Sequence, residues 1–161
     1  MTTFVCQSEF STSSQNLFSF HEQPEGFETL IGLTKGVEII QRPTSLEIGQ
    51  TAIFRVPILP FVKVKWIARH VDYVKGSSFT DTQVEGPFQI FKHLHRIESL
   101  ENGNSILSDI IHVRFFLWPI TKWFVLFALK KQFKERHLAT SKFLNCDSKL
   151  LFCGYSGSVI N

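Results

Sequence analysis

The stretch Ser78 to Ile97, SFTDTQVEGPFQIFKHLHRI, constrains this chain more than any other. It reads as two strands around a tight turn at Glu85-Gly86-Pro87. Phe79, Asp81 and Gln83 alternate along the first strand, and Phe91, His93, His95 and Ile97 along the second. Side chains two apart in a strand share a face. One face of the hairpin is therefore aromatic, acidic, amide and imidazole together, where an ordinary core face is Val, Ile and Leu. Polar groups gathered on one face are solvated, bonded to one another, or arranged for a ligand.

The flanking segments supply what such a hairpin packs against. Phe4 to Phe10 alternates apolar and polar residues, a first strand. Ser11-Thr12-Ser13-Ser14 offers N-caps for a short helix containing Leu17, Phe18 and Phe20. Pro24 opens a second short helix with Phe27, Leu30 and Ile31, and Gly36 is placed to end it. Strands are predicted at Val37–Gln41, at Gly49–Ile58 with Pro57 marking an edge or bulge, and at Val62–Val74. Another runs from Ile106 to Phe116 after the turn signal Glu101-Asn102-Gly103-Asn104.

Thr121 to about Leu144 reads as one long helix. Phe124, Phe127, Phe133 and His137 fall near one face, and Lys130, Lys131 and Lys134 near another. The expectation is one α+β domain over residues 1–144, with 145–161 as a C-terminal tail free to be flexible. Its order is a strand, two short helices, five or six antiparallel strands and the long helix across their concave face. Two layers gripping one helix leave a cavity between them, which is where ligands go.

The chain has 161 residues, enough for one domain with a sizeable core. There are 17 Phe against 2 Tyr, which suits either a dense core or a roomy cavity walled by rings. The net charge of +3 is scattered among acidic neighbours with no basic stripe, which argues against nucleic acid as a partner. Cys6, Cys146 and Cys153 form no C-x-x-C pair, so neither a structural zinc site nor a disulfide framework is expected. The N-terminal residues lack a basic start and a long apolar run, and the expectation is a reducing, cytoplasmic setting. The apolar run Phe115–Leu129, interrupted by Pro119 and Lys122, is shorter than the roughly 20 residues of a spanning helix and is expected to be buried or to lie on a surface.

The chain resembles the SRPBCC superfamily, the START and birch-pollen-allergen-like helix-grip proteins, and within it the ligand-binding SRPBCC branch near the polyketide cyclase/dehydrase group. The residues that carry the resemblance are Trp66; Phe79, Asp81, Gln83, Gly86, Pro87 and Phe88; His93 and His95; then Gly103, Leu107 and Asp109. Phe133 and Arg136 match an F-x-x-R near the end of the long helix. Phe91, Ile97 and Ser105 depart from the pattern, standing where Trp, Phe and Thr are usual. The resemblance implies a helix-grip fold, a curved antiparallel sheet wrapped around a long C-terminal helix, and an internal apolar cavity for a small hydrophobic ligand.

The residues expected to meet that ligand are Trp66, Phe79, Asp81, Gln83, Phe91 and His93, together with His95, Leu107, Asp109 and Phe127. Asp81 and Gln83 either orient a ligand's carbonyl or hydroxyl or bond the histidines opposite. His93 and His95 stand at a spacing some metal sites use, with Asp109 as a third candidate. If the last hairpin turns about Asn102, Asp109 falls across from His95 and either completes such a site or fixes the imidazole tautomer. The preferred reading holds no metal and no cofactor. As enzyme parts, His93, His95 and Asp109 suit general acid–base work of a cyclase or dehydratase. Ligand binding without turnover is the first expectation, the cyclase the second. The third is a lipid or quinone chaperone touching a membrane or protein through the start of the long helix.

Overall fold

The computed structural model describes residues 2–59, 61–118 and 120–156. Strand β1 (Thr2–Phe10) is followed by α1 (Ser14–Glu22) and α2 (Pro24–Gly32). Then come β2 (Glu38–Gln41), β3 (Thr51–Leu59), β4 (Val62–Val74), β5 (Ser78–Glu85), β6 (Phe88–Ser99) and β7 (Ser105–Phe115). The long helix α3 (Lys122–Phe143) and a last strand, β8 (Ser148–Ser156), complete the order. All eight strands join one sheet in the order β2-β3-β4-β5-β6-β7-β1-β8, and every neighbouring pair is antiparallel. The α+β helix-grip architecture is the one the sequence led us to expect.

Local chemistry explains most of the boundaries. The Ser13 side chain accepts from the Asn16 amide and starts α1, and Pro24 takes the first turn of α2, where its missing N–H costs nothing. Gly36 does not end α2; the helix stops at Gly32, and Gly36 turns the chain into β2 with φ +80°.

Two apolar clusters hold the layers together. Phe4, Cys6, Ile111 and Val113 of β1 and β7 pack on Leu126 and Phe133 of α3. Phe10, Phe79, Ile97 and Leu107 of the sheet pack on Leu17 and Phe18 of α1. Each fully buried Phe, Leu or Ile contributes about 1.5–3 kcal/mol.

Two expectations change here. The domain does not stop at Leu144: residues 148–156 form β8, hydrogen-bonded to β1 from Phe10↔Ser148 to Thr3↔Ser156. That ladder also sets Cys6 opposite Cys153, both as free thiols, although no C-x-x-C spacing joins them in sequence. The buried stripe of α3 is Val125, Leu126, Leu129, Phe133, His137 and Thr140, and Phe124 and Phe127 lie outside it. At about 100° per residue, Phe124 is half a turn round from Phe133. Residues 157–161 of the expected tail, and Pro119 in the apolar run, lie outside the described residues. No helix among the described residues is long and apolar enough to cross a membrane.

Candidate functional site

Register builds the site. The β5–β6 ladder sets Phe79 opposite His95 and Asp81 opposite His93, and the β6–β7 ladder sets His95 opposite Asp109. The Phe79 ring stacks on the His95 imidazole with centroids 4.1 Å apart. Gln83 clamps the end of the hairpin: its Nε2 donates to the Phe88 carbonyl at 2.6 Å, and the Phe88 amide donates to its Oε1 at 3.2 Å. Glycine at 86 leaves room for this clamp: a Cβ there would collide with Gln83 Oε1 and push the amide off the Phe88 backbone.

At the centre stands Asp109, 2% exposed. Its Oδ1 accepts from His93 Nε2 at 2.8 Å and its Oδ2 from His137 Nε2 at 2.7 Å. His95 Nδ1 lies 2.9 Å from Oδ1, an ion-pair contact without the alignment of a hydrogen bond. On its other side His95 Nε2 lies 3.5 Å from Asp81 Oδ2, and His70 Nε2 lies 3.0 Å from Asp81 Oδ1. His137 Nδ1 reaches Ser8 Oγ at 2.7 Å. His95 is thus bracketed by two carboxylates, and its ring centroid is 3.8 Å from that of His93.

The electrostatics follow from this enclosure. Burial alone would raise the Asp109 carboxyl, but the His95 charge and the bonds from His137 and His93 hold it well below the usual carboxylate range. Asp81 is lowered in the same way by His70 and His95 against its burial. His95 is raised: burial opposes its charge, and the two aspartates overcome that. His93 is lowered to about 4 by burial and by the charge on His95, and His21 to about 3 for the same two reasons. Adjacent imidazoles therefore hold opposite preferences for the proton.

Above this polar floor opens a cavity of about 780 Å³ between sheet, α2 and α3. Trp66, Phe79, Asp81, Phe91, His93 and His95, six of the residues named from the sequence, line it. Asp109 sits beneath the histidines and does not line it. Three other expected contacts lie elsewhere. Gln83 is spent on the Phe88 backbone, Leu107 is buried among Phe10, Leu17 and Phe79, and Phe127 is exposed on the outer side of α3.

The structure adds His21, His70 and Arg136 to the lining. His70 continues the alternate face of β4 that carries Trp66 and Ala68, and the bulge begins only after it, between His70 and Asp72, so the period of β4 already pointed to it. The half-buried Arg136 makes no ion pair among the described residues; its guanidinium lies over the Phe133 ring, 5.3 Å from the centroid.

No protein-family model matches the sequence, and no curated protein is similar to it. Solved structures are similar in fold. A nucleoside-diphosphate sugar epimerase from Corynebacterium glutamicum superposes with TM-score 0.68 at 20% identity over 88% of this chain, which spans only 29% of that one. Ara h 8.0201 gives 0.66 at 12% identity over 89% of this chain and 97% of that one. A norcoclaurine synthase point mutant from Thalictrum, in complex with a transition-state analogue, gives 0.63 at 11% identity over 89% and 94%. These likenesses show the fold: the chain has a helix-grip fold, the architecture expected from its sequence.

Proposed function

We propose that the protein binds a small hydrophobic or amphipathic molecule between the sheet and α3. The observation that carries this reading is the cavity of about 780 Å³, whose aromatic walls descend to a floor of imidazole and carboxylate. Concave apolar sites with a few convergent polar groups are where small molecules are held and oriented. The ligand's apolar body packs on Trp66, Phe88 and Phe91, and its polar end meets Asp81, His93 and His95. Native mass spectrometry of the purified protein, with small molecules identified after solvent extraction, tests this. An apolar molecule bound to each chain and released by solvent supports it. A chain that carries none, and takes up no apolar probe, refutes it.

A second reading is proton transfer of the cyclase or dehydratase kind. It is favoured by His95 standing between Asp81 and Asp109, an imidazole oriented from both sides. Turnover of an aromatic or polyketide substrate, lost in His95→Phe, would establish this reading over binding alone. Uptake of the ligand at a membrane surface is favoured by the start of α3, where Ile120, Trp123, Phe124 and Phe127 are all exposed beside Lys130 and Lys131.

A further inference from the structure

We propose that Asp81, His93 and His95 form a metal site, a two-histidine, one-carboxylate set for a divalent first-row cation such as zinc or iron(II). Each of the three offers a ligand atom within 4.8 Å of the other two. Two come from alternate positions of β6 and the third from β5, directly across from His93, so all three project from one face of one hairpin. Zinc binds imidazole nitrogen and carboxylate oxygen at about 2.0–2.2 Å, which sets neighbouring ligand atoms roughly 3–3.5 Å apart. His95 Nε2 and Asp81 Oδ2 already stand 3.5 Å apart.

The surroundings are those that metal-ligating side chains need. A ligating histidine holds its other ring nitrogen against a carboxylate or carbonyl, which fixes the tautomer and aims the free nitrogen. Asp109 stands behind both histidines with a single oxygen, hydrogen-bonded to His93 Nε2 at 2.8 Å and in ion-pair contact with His95 Nδ1 at 2.9 Å. That leaves His93 Nδ1 and His95 Nε2 as the ligating nitrogens. His70 Nε2 holds Asp81 Oδ1 at 3.0 Å, which leaves Oδ2 as the ligating oxygen. Asp109 is therefore not the third ligand that the H-x-H spacing first suggests. It is fully engaged by His93, His95 and His137, and it positions the ligands from behind.

Charge points the same way. Two carboxylates, Asp81 and Asp109, are enclosed together, and the cation facing them from α3 is a single guanidinium, Arg136, which pairs with neither. The site lies on the cavity floor, so the cation's remaining positions face the cavity. A ligand with an oxygen donor would reach them, a corollary that rests on the binding function proposed above.

The test is a titration of chelator-treated protein with Co²⁺, read by its visible d–d absorption, with Zn²⁺ as competitor. Uptake of an apolar dye is followed on the same sample, so that failure of the metal site and failure of the cavity read out separately. We expect saturation near one equivalent, displacement by Zn²⁺, and no thiolate charge-transfer band. Asp81→Asn, folded by circular dichroism, should weaken binding by at least the ~10–100-fold that losing an outer partner of a metal ligand costs. Cys6→Ser with Cys153→Ser should leave it unchanged. Absence of saturable binding, a thiolate band, or a folded Asp81→Asn protein that binds like the wild type overturns the proposal. If Asp81→Asn does not fold, the wild-type spectrum decides: nitrogen and oxygen ligation supports the site, and sulfur ligation refutes it.

Discussion

Asp109 stands directly across the β6–β7 ladder from His95, and its carboxylate oxygen lies 2.9 Å from the imidazole Nδ1. The same carboxylate accepts hydrogen bonds from His93 and, through α3, from His137. One buried side chain therefore ties two strands and the gripping helix together.

Removing that carboxylate leaves His93 and His137 without their acceptor and His95 without an ion-pair partner on that side. Asp109→Ala should cost about 3–5 kcal/mol of folding stability, the usual result of breaking a buried charged network from one side. The double variant with His137→Phe should cost less than the two single changes added, because contacting partners are not additive. Denaturant unfolding of the four proteins measures this, and strict additivity would remove His137 from the network.

Acid should unfold the metal-free protein early. The folded-state values of His93 and His21 are lowered to about 4 and about 3, so both enter the fold neutral. Their contribution is complete above the unfolded value near 6.5 and is lost as pH falls through the window down to about 4 and then about 3. Asp81 and Asp109, both lowered, add a further loss below about pH 4. His95 is raised and acts with the opposite sign: its contribution is present below about 6.5 and lost as pH rises. Stability measured in chelator should fall by several kcal/mol between pH 7 and pH 4.5. A flat profile over that window would contradict the buried neutral histidines.

Gln83 should prove structural. Gln83→Ala removes both bonds to the Phe88 backbone, and a loss of about 1–3 kcal/mol is expected. Affinity for an apolar probe should be unchanged in the folded variant. A weakened probe with unaltered stability would return Gln83 to the ligand.

How much of this was legible in the sequence depended on whether alternation survived. The turn at Asn102-Gly103 placed Asp109 across from His95 correctly, because the stretch of β6 and β7 that bears them pairs without a register shift. His70 was legible but unread: it lies two and four residues beyond Ala68 and Trp66 on the same face of β4, and the bulge comes only after it. β8 was missed because most of its side chains on both faces are exposed, so no apolar alternation marks it. Leu107 does share a face with Asp109, two residues along, but the cavity does not extend that far; α1 covers Leu107 instead. Phe124 and Phe127 masked the true stripe of α3, since exposed aromatics read like core in a one-dimensional pattern.

The exposed aromatics carry a prediction of their own. Trp123→Ser with Phe127→Ser should reduce co-sedimentation with vesicles containing anionic lipid, with little change in stability, because both side chains are largely exposed. Equal pelleting of wild type and variant would leave the face without a membrane role.

Ala68 lines the cavity from β4, opposite Ala52 of β3, with the room a larger side chain would fill. The decisive experiment is titration of a solvatochromic apolar dye into the wild-type protein and into Ala68→Trp. Saturable, stoichiometric binding to the wild type, lost in a folded Ala68→Trp protein, is the expected result. Binding that persists unchanged in the folded variant, or that never saturates in the wild type, would contradict an internal site between the sheet and α3.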